Sequence, residues 1–335
     1  MSNMILDTAE KIFARDANAV ARPTFDAGHW SEVEASGFTL ALMGEDAGGF
    51  GLSALDATSI LRVSAKHASR LPLGETMLCN WLLADAGLPM GEGAATVAFV
   101  DCLPKASSQP VIATRVPWAK VANTVAAITR DGNIGIFKSP RLLKSDANLA
   151  GEPRDDIELA WSAELPMARA PRSFDSYLAL CALLRVAGLA GSAESVLRLT
   201  LDYANDRVQF GRPIGRNQVI QHQLAIMASH SAASSAAADM AANAFSLVLA
   251  NEDRFKAIVA SAKIRTGEAA GICASIAHQV HGAIGFTKEY RLHNLTEQLW
   301  SWRDEYGNEA FWSEQLANQM FAMSTPSAWR FLTWG

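Results

Sequence analysis

The stretch Asn205–Gln218, NDRVQFGRPIGRNQ, gathers three arginines, two glycines and one proline around a single aromatic residue, between two long segments rich in Ala and Leu. Glycine admits backbone conformations closed to other residues and proline fixes φ, so the chain reverses sharply here. A guanidinium held in such a turn is either a solvated helix-end charge or a fixed, forked donor for an anion. With a formal net charge of −5 and no run of Lys and Arg, the chain has no basic face for a nucleic acid, and any anion must be met locally. A second stretch, GEDAGGFGLS (residues 44–53), resembles a phosphate cradle only superficially. No strand precedes it and no Gly-Lys-Ser/Thr follows, so it reads as a structural turn. Cys79, Cys102, Cys181 and Cys273 lie far apart, without CxxC spacing or a nearby His cluster, so neither a disulfide scaffold nor a metal site is expected.

The elements that position these stretches change character twice along the chain. Residues 1–93 carry apolar positions at three- and four-residue spacing and predict a helical N-terminal domain. From Ala95 the pattern becomes short β-type runs such as ATVAFV, PVIATRV and IGIFK, divided by turn residues such as Asp131–Asn133. These predict a small antiparallel barrel or sandwich over 94–170. Residues 171–335 are again helical, with long segments near 174–204, 217–250, 254–281 and 288–323, which predict an up-and-down four-helix bundle. The expected fold class is therefore α+β, mainly α. The most apolar segment, Leu178–Leu201, contains Arg185, Glu194 and Arg198, and the N-terminus mixes charges into its apolar residues. Neither a membrane span nor a secretory signal is expected, and a cytoplasmic location follows.

This layout and three local sequences resemble the acyl-CoA dehydrogenase family. GEDAGGFGLS resembles the family's Pro-Glu-x-x-Gly-Gly-x-Gly loop. YANDRVQFGRPIGRNQVIQHQLAIMA, Tyr203–Ala228, resembles its Arg-x-x-Phe-Gly-x-Pro-Ile stretch, and HQVHGAIGFTKEY, His278–Tyr290, its Gln-x-x-Gly-Gly-x-Gly-Tyr/Phe-Thr segment. The resemblance covers nearly the whole chain. It implies flavin adenine dinucleotide (FAD) lying between subunits, with Arg207 on the diphosphate of the neighbour's cofactor, Phe210 on its adenosine side, Gln279 offering amide hydrogen bonds, and the Gly282–Ala283 step letting the backbone approach. The family more often has Gly where Ala283 adds a methyl group. His281 reads as a helix-end packing residue. The resemblance further implies an acyl-CoA substrate, an electron-transfer acceptor, and a homologous subunit in a homo- or heteromeric dimer or tetramer.

Removing the α proton of an acyl thioester while flavin accepts the β hydride requires a carboxylate base. Counted from Gly282, the family's usual Glu position falls on Tyr306 in RDEYGNEAFW; counted back from Arg207, the alternative position falls on Cys181. Both lack a carboxylate, although Glu305 stands beside the first. The family's Thr-Glu-Pro-x-x-Gly-Ser stretch is replaced by VDCLPKASSQPVIATRVPWAKVAN, where Ser107 and Ser108 are the available hydroxyls. Its Arg-Asp pair is replaced by Thr296–Gln298. The contacts to a neighbour's cofactor are thus retained and those to flavin ring and substrate lost, as expected of one subunit of a heteromeric acyl-CoA dehydrogenase. Two alternatives stand beside it: a self-sufficient homomeric acyl-CoA dehydrogenase or related flavoenzyme using Glu305, and a flavin-free scaffold of the same fold.

Overall fold

The structure, a computed structural model, describes residues 2–15, 25–105, 109–323, 327 and 329–330. Ser107 and Ser108 lie outside the described residues. The chain divides into two compact units.

Among the described residues, the first unit comprises 2–15, 25–61 and 69–177. Its helices are α1 (Ser2–Phe13), α2 (Ala27–Ala35), most of α3 (Ala54–Lys66) and α4 (Leu73–Asp85). Asp26 caps α2, its carboxylate accepting the His29 amide at 3.0 Å. Seven strands follow: β1 (Ala95–Val100), β2 (Val111–Pro117), β3 (Thr124–Thr129), β4 (Asn133–Lys138), β5 (Arg141–Lys144), β6 (Arg154–Leu159) and β7 (Met167–Arg169). They form two sheets, ordered β1-β3-β4-β7 and β2-β6-β5. One departure from the sequence expectation is the β1–β3 pair, which is parallel, Ala95 facing Thr124 through Val100 facing Thr129. The returning strand β2 joins the other sheet, so the chain re-enters the first sheet in its original direction. β3 is buried along its whole length, and Val125, Ala127 and Phe137 share a core with Ile157 and Leu159. The Asp131–Asn133 turn joins β3 to β4 as the sequence suggests. The loop at 44–53 is a largely exposed turn around the short 3₁₀ segment Glu45–Ala47. A Cβ on Gly49 would sit 2.2 Å from the Met43 carbonyl oxygen, which explains a glycine there without any ligand.

The second unit gathers residues 62–68 and the chain from Leu178 onward. Its helices are α5 (Phe174–Asp206), α6 (Gln218–Asn243), the short α7 (Leu247–Ala250), α8 (Glu252–His281), α9 (Leu292–Asp304) and α10 (Glu309–Phe321). Asparagine caps three of them: the side-chain oxygens of Asn217, Asn251 and Asn308 accept amide protons from Val219, Arg254 and Phe311. α5 is long and apolar enough to cross a membrane, yet 89% of its apolar window is buried inside the protein. Its Leu189, Ala193 and Val196 pack with Ala270, Cys273 and Ala277 of α8 and Leu295 and Leu299 of α9. Alanine on α6 and α8 lets these helices approach closely: Ala241, Ala269 and Ala270 are fully buried. The expected fourth helix, 288–323, is broken into α9 and α10 by residues 305–308, where Tyr306 and Gly307 adopt φ of +55° and +95°. A left-handed pair cannot continue a right-handed helix.

Candidate functional site

The turn at 205–218 is a β-hairpin. Leaving α5, the chain forms β8 (Val208–Gln209) and β9 (Arg212–Pro213), with Val208 opposite Pro213 and Gln209 opposite Arg212. The two-residue loop is Phe210–Gly211, with φ of +53° and +80°, the sign pattern of a type I′ turn. A left-handed backbone at an aromatic residue costs about 1–2 kcal/mol. The hairpin presents the Phe210 ring, 101% exposed, to solvent. Arg207 stands at its base: its amide donates to the Tyr203 carbonyl at 2.9 Å, and its carbonyl accepts the Ile214 amide at 2.9 Å. Its side chain is exposed and forms no ion pair among the described residues. An open guanidinium and an open aromatic ring on one hairpin are what a diphosphate joined to a nucleoside would require.

The second predicted stretch closes α8. Gln279 is exposed in its last turn, and Gly282 and Ala283 are exposed in the 3₁₀ turn Gly282–Phe286. Gly282 has φ +63° and ψ −141°, a conformation essentially confined to glycine. His281 is a packing residue, 3% exposed. Its Nδ1 bonds the Ala277 carbonyl at 2.7 Å, Nε2 approaches the Tyr290 hydroxyl at 3.3 Å, and its ring stacks on Tyr203 at 4.3 Å. The Tyr203–His281 stack ties the base of the hairpin to the turn after α8, so both predicted stretches share one anchor. Burial holds the His281 imidazole below its ordinary pKa. His278 is likewise depressed by burial and by nearby His293. It is stacked between Phe286 and Trp300 and bonded through Nε2 to the Thr296 hydroxyl at 2.9 Å. Thr296 and Gln298, noted in the sequence only as replacements, are buried. Gln298 accepts the Ser192 hydroxyl at 2.9 Å.

The carboxylate candidate is committed elsewhere. Glu305 follows α9, and its Oε2 accepts Arg185 Nε at 2.7 Å, with side-chain exposures of only 14% and 7%. The Arg185 guanidinium also lies over the rings of Trp302 and Tyr306, 5.3 and 5.5 Å from their centroids. Arg185 comes from α5, one turn beyond Cys181, which is itself buried. The positions 181 and 306, counted separately from the sequence, are therefore linked through Arg185.

The turn itself is fixed by Lys263 of α8, whose Nζ donates to the carbonyls of Arg303 at 2.6 Å and Gly307 at 2.8 Å. The Trp312 indole donates to the Tyr306 carbonyl at 3.0 Å. Burial pushes the Lys263 amine down to about 8, opposed by Glu309 and Glu305. Sequence reading missed Arg185 and Lys263 because both sit inside apolar helical runs and their partners lie 120 and about 40 residues away.

Residues 175–319 match the family model of the acyl-CoA dehydrogenase C-terminal domain. Among curated proteins, the chain is similar to acyl-CoA dehydrogenase IpdE2 of Mycobacterium tuberculosis, 37% identical over 112 residues, 33% of this chain and 32% of that protein. It is also similar to glutaryl-CoA dehydrogenase of Desulfococcus multivorans, 38% identical over 110 residues, 32% and 27% of the two chains. The matched stretches thus span about a third or less of these relatives' length. Solved structures agree over much more of the chain. The ChsE4-ChsE5 complex of Mycobacterium tuberculosis superposes with a TM-score of 0.82 at 20% identity, covering 97% of this chain and 98% of that one. Butyryl-CoA dehydrogenase of Megasphaera elsdenii gives 0.82 at 18% identity, covering 96% and 98%. Its bundle is thus matched in sequence by the acyl-CoA dehydrogenase C-terminal domain, and the chain has the fold of the acyl-CoA dehydrogenases.

Proposed function

We propose that this chain is a subunit of an FAD-dependent acyl-CoA dehydrogenase of mixed composition, lending half of a cofactor site to a homologous partner that brings the catalytic carboxylate. The observation that carries the reading is the hairpin. Arg207 and Phe210 are turned outward, with a strained backbone at the aromatic residue and no ion pair for the cation among the described residues, an arrangement suited to a group held by another chain.

FAD, when bound, supplies the acceptor for the β hydride of the thioester. On this reading Arg207 neutralises the diphosphate with forked donors, Phe210 covers the adenosine side, and Gln279 with the Gly282–Ala283 backbone borders the same cofactor. The base that takes the α proton belongs to the partner. Here the base position is held by Tyr306, and the adjacent Glu305 is bound to Arg185. A carboxylate already paired with a buried guanidinium is a poor proton acceptor. An electron-transfer acceptor would complete the reaction as a further partner, and a cytoplasmic location accords with such chemistry.

Co-purification of the tagged full-length chain from its native host tests this. A homologous chain bearing a Glu in the turn equivalent to 305–308 is expected in equimolar amount, with FAD. Recovery of the chain as a homo-oligomer with one FAD per subunit would overturn the mixed composition.

A further inference from the structure

The start of α9 gathers donors that the folded chain leaves without acceptors. Arg291 stands at the cap position and forms no side-chain capping bond to the first amides of the helix, which the helix itself cannot satisfy. Its side chain is half-buried, and its buried Nε has no hydrogen-bond partner. Leu292, the next residue, packs in one core with Val196 of α5. Two residues further along α5, Arg198 is exposed and near enough to act on Arg291: burial, and then the charge of Arg198, hold the Arg291 guanidinium below the usual arginine range. Among the described residues neither arginine forms an ion pair. Asp202 and Asp206 of α5 lie near Tyr290 and pair with neither of them.

A third donor belongs to the same place. Asn294, in the first turn of α9, is 5% exposed, and its buried Nδ2 has no hydrogen-bond partner. Side chains tilt toward the N-terminus of their helix, so this amide is carried toward the end where Arg291 stands. Two like charges held near each other repel, and buried donors without acceptors destabilise a fold. One occupant answers both, an anion whose oxygens accept from forked guanidinium groups and from amides at a helix N-terminus. A single carboxylate brings one charge and two oxygens, whereas a phosphate group matches two guanidinium groups in charge and offers more acceptors.

We infer that Arg198, Arg291, Asn294 and the first amides of α9 form a binding site for a phosphate group. The site is separate from the hairpin, since Arg198 precedes Arg207 by nine residues, about 14 Å along the helix direction. It does not rest on the function proposed above. The Tyr290 ring, one residue before Arg291, packs 6.1 Å from Tyr203 and 5.1 Å from His281, so an occupied site also braces the base of the hairpin.

The test is titration calorimetry on the purified full-length protein with inorganic phosphate and with glycerol 3-phosphate, each at low millimolar concentration against chloride of matched ionic strength. Phosphate is expected to bind at one site per chain. An ester that binds no more tightly identifies the free ion as occupant, and one that binds more tightly identifies an organic phosphate. Arg198→Gln, a change at an exposed side chain, should weaken both ligands about tenfold or more. Thermal unfolding gives a second reading. Without phosphate, Arg198→Gln should unfold no lower than wild type, because it relieves the repulsion; with phosphate, wild type should unfold higher, because the bound ion stabilises it. FAD retention in the assembled enzyme should be the same in the variant. No phosphate binding beyond the chloride control, equal phosphate affinity in wild type and Arg198→Gln, or a variant that unfolds lower without phosphate would each overturn the site. Loss of FAD in Arg198→Gln would assign that arginine to the cofactor and overturn it as well.

Discussion

At the scale of single residues, two substitutions separate cofactor contact from proton transfer. Arg207→Ala removes a charge-assisted contact worth about 1.5–3 kcal/mol, so FAD retention in the assembled enzyme should weaken about 10- to 150-fold. Equilibrium dialysis of FAD against the variant measures it, and unchanged affinity would remove Arg207 from the site. Glu305→Gln should change the turnover of the assembled enzyme by less than tenfold, whereas loss of a positioned general base costs about 100- to 10,000-fold. The same substitution should lower stability by about 1–3 kcal/mol, because the neutral amide holds Arg185 less firmly. A large fall in rate with stability and FAD content intact would make Glu305 the base. The turn that holds Arg207, Phe210 and Gly211 was legible beforehand, because its residue types announce a chain reversal. The Arg185–Glu305 pair was not, because it joins positions 120 residues apart and helical periodicity carries no record of what faces a side chain across a bundle.

At the scale of elements, the 305–308 break and the end of α8 are the two local designs that matter. The sequence WRDEYGNE reads as helix because it holds a single glycine among residues that helices tolerate. The interruption is imposed from outside by Lys263, Trp312 and Arg185. Lys263→Met leaves the carbonyls of Arg303 and Gly307 without their donor and should destabilise the protein by about 2 kcal/mol or more in denaturant unfolding. In the 3₁₀ turn region, His278 shares a hydrogen bond through Nε2 with the Thr296 hydroxyl, and its buried Nδ1 has no hydrogen-bond partner. With the folded pKa below the ordinary 6.5, the unfolded chain takes the proton first. His281 is depressed in the same direction. The stability these rings support is therefore present above about pH 6.5 and declines as the pH falls below it. His278→Gln should flatten that decline; an equally steep acid limb in the variant would show that other groups cause it. The parallel β1–β3 pairing escaped the sequence for a related reason: alternation marks a strand and its faces, while pairing direction depends on where the intervening strand goes.

At the scale of the whole molecule, the central claim is that this chain lends contacts to a cofactor whose ring and base are handled by a partner. The helical, β and bundle pattern was readable from periodicity alone, and the family sequences added the cofactor. The division of labour rests on where side chains end up, with Phe210 bare at a hairpin tip and Glu305 held by Arg185. The most direct measurement is the absorbance of the full-length chain purified alone, supplied with FAD and titrated anaerobically with a panel of acyl-CoA thioesters. The isolated chain should retain no stoichiometric flavin and show no bleaching of the flavin band, and adding a Glu-bearing homologous partner should produce both. Stoichiometric flavin in the isolated chain, bleached by any acyl-CoA thioester, would contradict the account.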